Sequence, residues 1–92
     1  MNPNIEFFDK DRKVIDEEVM ISSKQNALEG FTRAYSLVKL ISDKTKLETS
    51  SYTDKNGYFS VSLPRLVEQD NLRLVIISRA GHSLTKKVLI NN

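Results

Sequence analysis

Cysteine is absent from this 92-residue chain, so a disulfide framework, a thiolate zinc site and a cysteine nucleophile are excluded together. Histidine occurs once, at His82, which leaves no second histidine or cysteine to complete a zinc site. Charge of one sign is lacking too. Fourteen basic and twelve acidic residues are interspersed and leave a formal charge of +2, a solubility pattern rather than a nucleic-acid footprint. The longest apolar run, Leu74 to Ile77, is far short of the roughly 20 residues that a membrane helix needs, so no membrane insertion is expected of this segment. The start, Met-Asn-Pro-Asn, has no apolar signal-peptide core. What remains is a chain of about one domain, residues 1–92, able to bury a single core without metals or crosslinks.

The most structured signal is Ser50 to Pro64. Phe59, Val61 and Leu63 alternate with Tyr58, Ser60 and Ser62, the pattern of a strand with one dry and one wet face. Ahead of it, Asp54 suits the first position of a type I turn and Gly57 the left-handed position that closes such a turn with a bulge. Asn56-Gly57 is alternatively a two-residue type I′ turn. On either geometry the segment reads as a β-hairpin, with Asp54, Asn56 and Gly57 as structural turn residues.

Other strands follow from the same rules. Ile5, Phe7 and Phe8 form an edge strand ended by the charged turn Asp9-Lys10-Asp11-Arg12. Lys13–Ile15 and Glu18–Ile21 are short extended pieces, Ser22–Asn26 a polar break, and Leu28–Thr32 the next strand. Tyr35–Ile41 carries Ser36, Val38 and Leu40 on one side and reads as a central strand. Ser42–Thr45 is a turn and Leu47–Thr53 leads into the hairpin. Arg65–Asn71, too short for a stable helix, crosses over as a loop or single turn to Leu72–Ser78, the most apolar strand. Ala80–Ser83 turns the chain into a last strand, Leu84–Ile90. Turn signals about every 8 to 12 residues and no long helix predict an all-β sandwich of about seven antiparallel strands. The expected core is Phe7, Val38, Leu40, Phe59, Val61, Leu63, Leu74, Ile76, Val88 and Ile90.

The order of these features resembles the bacterial immunoglobulin-like modules of large surface proteins and adhesins. The matching residues are Pro3 with Ile5, Leu28–Thr32, Ser36-Leu37-Val38, Thr53–Val61 (Thr-Asp-Lys-Asn-Gly-Tyr-Phe-Ser-Val), Leu63-Pro64 and Ala80-Gly81. In place of the family's Asp-x-Ala-Gly-Asn turn the chain has Ser78-Arg79-Ala80-Gly81-His82, and its stretch Asp9–Asn26 is longer than the family's. A transthyretin-like or carboxypeptidase-regulatory accessory domain shares the Thr-Asp-x-Asn-Gly-x-Phe signature and is the competing resemblance. The first resemblance implies an immunoglobulin-like sandwich acting as a non-catalytic spacer, stalk or adhesion module at the bacterial cell surface or outside the cell. Its partners would be neighbouring domains of the same chain and a host protein or glycan. An isolated copy would be monomeric, bind no nucleic acid and need no cofactor.

Several residues carry a chemical alternative. Surface modules of this kind sometimes hold calcium where domains meet, which makes Asp9 and Asp11 the candidate ligands; Asp54 and Asn56 are better explained by turn chemistry, because the loop lacks the alternating carboxylates and distal Glu of a calcium-binding loop. Lys39 is the one lysine flanked by apolar neighbours on a central strand, as a Lys–Asn isopeptide crosslink would require; an outward, solvated strand lysine is the simpler expectation. Tyr52 and Tyr58, with Tyr35, are candidates for a sugar- or peptide-binding platform, although tyrosine is also an ordinary strand residue. Arg73, Arg79, Lys86 and Lys87 would form a basic patch if the last two strands are neighbours. His82 is expected to be an exposed turn residue.

Overall fold

The alternation seen in the sequence becomes seven strands: β1 (Val19–Ser22), β2 (Ala27–Phe31), β3 (Leu37–Ser42), β4 (Glu48–Tyr52), β5 (Tyr58–Ser62), β6 (Leu72–Ile77) and β7 (Ser83–Asn91). They were located in a computed structural model that describes residues 5–16 and 18–91, and no helix occurs among these residues. Pro3, the first residue of the family resemblance, lies outside them. The strands form two sheets, one ordered β1-β7-β6-β3-β4 and the other pairing β2 with β5. Every pairing is antiparallel except that of β1 with β7, where Val19 lies beside Val88 and Ile21 beside Ile90. Near the N-terminus Phe8 bridges both Phe31 and Val14, extending the smaller sheet beyond β2. The edge strand expected at Ile5–Phe8 is not formed as a strand; of it only Phe8 makes isolated bridges.

The two sheets enclose one core. Inward positions of β3 and β6 (Val38, Leu40, Leu72, Leu74 and Ile76) are fully buried and meet Phe59 and Val61 of β5 and Leu28 of β2. Such packing of two apolar faces is what makes a sandwich stable, each buried aliphatic or aromatic side chain contributing about 1.5–3 kcal/mol. Phe7 closes over this layer with its ring 5.8 Å from that of Phe59. Eight of the ten expected core residues are buried; Leu63 and Ile90 are only partly so and pack against the core's margin. The physical reason is position: Leu63 follows the end of β5, and Ile90 pairs with the edge strand β1, so each has core on one side only. The core also recruits Val19, Ile21, Leu28 and Leu72.

The hairpin is not formed. The expected turn exists, with Gly57 N–H donating to the Asp54 carbonyl and Asp54 N–H to that of Tyr58, but the strands on either side belong to different sheets. β4 pairs with β3 from Leu37–Tyr52 to Ile41–Glu48, and β5 pairs with β2 from Ala27–Ser62 to Phe31–Tyr58. The connection is an arch between sheets, held shut by the Thr49 hydroxyl donating to the Ser62 carbonyl. Turn residues dictate a chain reversal and not what the strands beyond it pair with; here β3 and β2 offered the edges.

The strand directions sort the connections to the two ends of a molecule 40 Å long and 25 by 21 Å across. At one end lie the β2–β3 link, the Asp54 turn and the β6–β7 turn, together with Glu6, whose carbonyl accepts the Thr32 hydroxyl. At the other lie the β1–β2 and β3–β4 turns, the β5–β6 crossing and Asn91, whose carbonyl accepts the Ser23 N–H. The first and last described residues are therefore at opposite ends.

Candidate functional site

Three turns are built to one plan. In Asp9–Lys13, Asp54–Tyr58 and Ser78–His82 the first residue's N–H donates to the carbonyl of the fifth, and its carbonyl accepts the N–H of the fourth. The fourth residue has positive φ in each: Arg12 at 64°, Gly57 at 81° and Gly81 at 89°. The first side chain then caps the turn. Asp9 Oδ1 accepts the N–H groups of Asp11 and Lys13 at 2.8 and 2.9 Å, Asp54 Oδ1 those of Asn56 and Tyr58 at 2.8 and 3.0 Å, and Ser78 Oγ that of His82 at 3.2 Å. This is a type I turn closed by a bulge, with an Asx or Ser cap. Asp9 Oδ1 is thus engaged by backbone donors of its own turn. Among the described residues no three His, Cys, Asp or Glu side chains gather as metal ligands. His82 is exposed in its turn.

Among the described residues one carboxylate is buried. Asp70, 5% exposed, sits where the β5–β6 crossing meets the β3–β4 turn. Its oxygens accept the Ser42 hydroxyl at 2.6 Å, the Asn71 N–H at 2.9 Å and the N–H groups of Lys44 and Val67, each at 3.3 Å. Burial alone would raise its pKa; the four hydrogen bonds outweigh burial and hold the carboxyl below the ordinary carboxylate value. Four donors from two stretches of chain, Ser42–Lys44 and Val67–Asn71, make it a clamp. Ser36, also fully buried, has a hydroxyl without a partner among the described residues.

The tyrosines do not form one platform. Tyr58 lies on the outer face of the small sheet, edge-on to Phe31 with ring centres 5.5 Å apart, and Arg12 covers the other ring at 4.1 Å. Its hydroxyl donates to Glu29 at 2.6 Å, and this bond to a carboxylate raises the phenol above its usual range. Tyr52 belongs to the larger sheet, 71% exposed beside Leu37, and Tyr35 lies in the β2–β3 link under Arg79. The basic residues disperse in the same way. Arg73 and Lys87 are neighbours on the outer face, Lys86 lies opposite inward-facing Leu74, and Arg79 is in a turn. Lys39 points outward with Nζ 3.9 Å from Glu48, as a solvated strand lysine does.

Two surface features were not anticipated. Because the chain turns back at Asp9–Lys13 after Phe8, the rest of the β2 edge is uncovered and a groove of about 950 Å3 remains between β1 and β2. Its floor is core, Phe7, Val19, Ile21 and Leu28, and its rim carries both signs of charge, Lys10, Glu18, Lys24 and Glu29. The second is the outer face of the larger sheet. Across β7, β6, β3 and β4 the register aligns three outward rows: Lys87, Arg73, Ile41 and Glu48; Thr85, Val75, Lys39 and Ser50; Ser83, Ile77, Leu37 and Tyr52. The central columns hold Ile41, Leu37, Val75 and Ile77, only partly buried, together with the cations Lys39 and Arg73. The signal for this face was in the sequence: β3 and β6 are apolar at consecutive positions, so apolar residues had to fall on both sides.

The chain matches no protein-family model, no curated protein and no solved structure. The class defined by its structure is an all-β protein with two sheets packed as a sandwich.

Proposed function

We propose that the sandwich is immunoglobulin-like and serves as a non-catalytic module of a larger bacterial cell-surface or secreted protein, working as a spacer or adhesion unit. The observation that carries this reading is the placement of the first and last described residues at opposite poles of a 40 Å body. Modules so arranged join in series with each copy adding its length, as a stalk requires. The strand order supports the immunoglobulin-like assignment: the edge strand β1 runs parallel to the last strand β7, and β3 and β6 sit at the centre of the larger sheet opposite a β2–β5 pair. Fold analogy supplies the step from scaffold to role.

The test is location and reach on the cell. Antibody against this domain should label intact, non-permeabilised bacteria that produce the parent protein, and brief external protease should remove the label. Label that appears only after permeabilisation would overturn the proposal.

A further inference from the structure

We propose that the open edge of β2 is a strand-addition site whose occupant is an extended segment of another polypeptide, basic at its first position, apolar at the second and fourth and acidic at the fifth. The inference rests on backbone geometry and not on the spacer role. Phe31 and Phe8 exchange both backbone hydrogen bonds at 2.9 Å, whereas the Asn26 carbonyl accepts the Leu63 N–H on the opposite side at 3.0 Å. Backbone polar groups alternate along a strand, so Asn26, Leu28 and Gly30 face β5 while Ala27, Glu29 and Phe31 face the groove. Among the described residues Phe8 supplies the only rung on that edge. The Gln25 side chain takes the Ala27 carbonyl at 3.2 Å. The N–H and carbonyl of Glu29 and the N–H of Ala27 are left as a template for a further strand.

The added strand continues the antiparallel ladder that Phe8 begins. Its first residue, opposite Glu29, lies on the outer face beside a carboxylate held by the Tyr58 hydroxyl at 2.6 Å, which favours Lys or Arg there. Its second residue, opposite Leu28, points inward onto the apolar floor of Phe7, Val19, Ile21 and Leu28. The third faces out with Ala27, the fourth turns inward again, and the fifth reaches the β1–β2 turn, where Lys24 stands on the rim.

Charge complementarity along the edge therefore sets the polarity, with Glu29 at one end and Lys24 at the other. A parallel strand of the same composition would lay its acidic end on Glu29 and its basic end on Lys24. The groove, about 950 Å3, has room for the two inward side chains. A helix has no free backbone groups along its length to meet this row, and a chain in β conformation does.

NMR titration of the intact chain with the acetylated, amidated pentapeptide Lys-Val-Thr-Val-Glu tests the proposal. Amide resonances of Ala27 and Glu29 and side-chain resonances of Ile21 and Leu28 should shift together, with Kd on the order of 100 µM. The charge-reversed peptide Glu-Val-Thr-Val-Lys should bind at least about fivefold more weakly. N-methylation of the residue opposite Glu29 removes one ladder donor without touching the protein and should weaken binding about tenfold. Lys24→Glu combined with Glu29→Lys should invert the preference between the two charge patterns; both positions are exposed, so the rest of the amide spectrum should be unchanged. The proposal is overturned by the absence of any shift on β2 up to about 2 mM peptide, or by shifts confined to another face. Equal binding of the N-methylated peptide overturns it as well, because apolar adhesion alone would then account for the contact.

Discussion

At Gly57 and Gly81 the same backbone conformation meets two different surroundings. Both have positive φ, but a Cβ on Gly57 would lie 2.0 Å from the Thr32 carbonyl oxygen, while one on Gly81 would meet nothing within 4 Å. Gly57→Ala should therefore cost well over 2 kcal/mol, combining conformational strain with a clash against backbone, and Gly81→Ala only about 1 kcal/mol. Urea unfolding of the two variants checks this; equal losses would show that the contact with Thr32 is immaterial. Asp70 gives a second residue-scale expectation. Its folded-state carboxyl titrates below the ordinary value, so its contribution is complete above the unfolded value of about 4 and is lost as pH falls through the lower, folded value. Asp70→Asn keeps the size and sets an amide against backbone donors, which should cost about 2–3 kcal/mol near neutral pH. The acid-side slope of unfolding free energy against pH should be shallower in the variant than in the parent chain.

Among the elements, the arch from β4 to β5 depends on Thr53. Its Oγ1 accepts the buried Ser36 N–H at 2.7 Å and donates to the Arg33 carbonyl at 2.6 Å, while its own N–H reaches the Ser36 carbonyl at 2.9 Å. The hydroxyl thus ties the start of the arch to the link between β2 and β3, two of the four links between successive strands at which the chain changes sheet. Thr53→Val preserves the shape and strands the Ser36 N–H in the interior. A loss of about 2–3 kcal/mol is expected, together with faster amide exchange at Ser36 and across the β2–β3 link by NMR. Unchanged exchange there would remove Thr53 from this role. The turn at Asp54 was legible because its residues act locally. The pairing of the strands on either side was not, because β4 found β3 and β5 found β2 through contacts that no local window contains.

For the molecule as a whole, closure comes from the parallel pairing of β1 with β7, whose partners Val19 and Val88 are far apart in sequence. Loop closure must precede such contacts, so folding should take milliseconds to seconds, in the range of all-β sandwiches and slower than helical proteins of this size. Stopped-flow refolding by intrinsic tyrosine fluorescence measures it, and a microsecond phase accounting for the full amplitude would contradict the topology. The outward row Lys87, Arg73, Ile41 and Glu48 is a property of the same scale. Its four residues come from four strands, and no spacing in the chain announces that they align.

The sequence by itself determined the class and the inward faces: alternation placed Val38, Leu40, Phe59, Val61, Leu74, Ile76 and Val88 in the core, because a strand's period of two is fixed by its own backbone geometry. It determined the turn chemistry at Asp54–Tyr58 for the same local reason. The tertiary structure alone decided which strands pair, that Asp54–Gly57 heads an arch and not a hairpin, that Asp70 is a buried clamp, and that Tyr52 and Tyr58 look out from different sheets. Those outcomes depend on partners brought together from distant parts of the chain, where hydrogen-bond donors and apolar faces compete for one another only once the sheets have met.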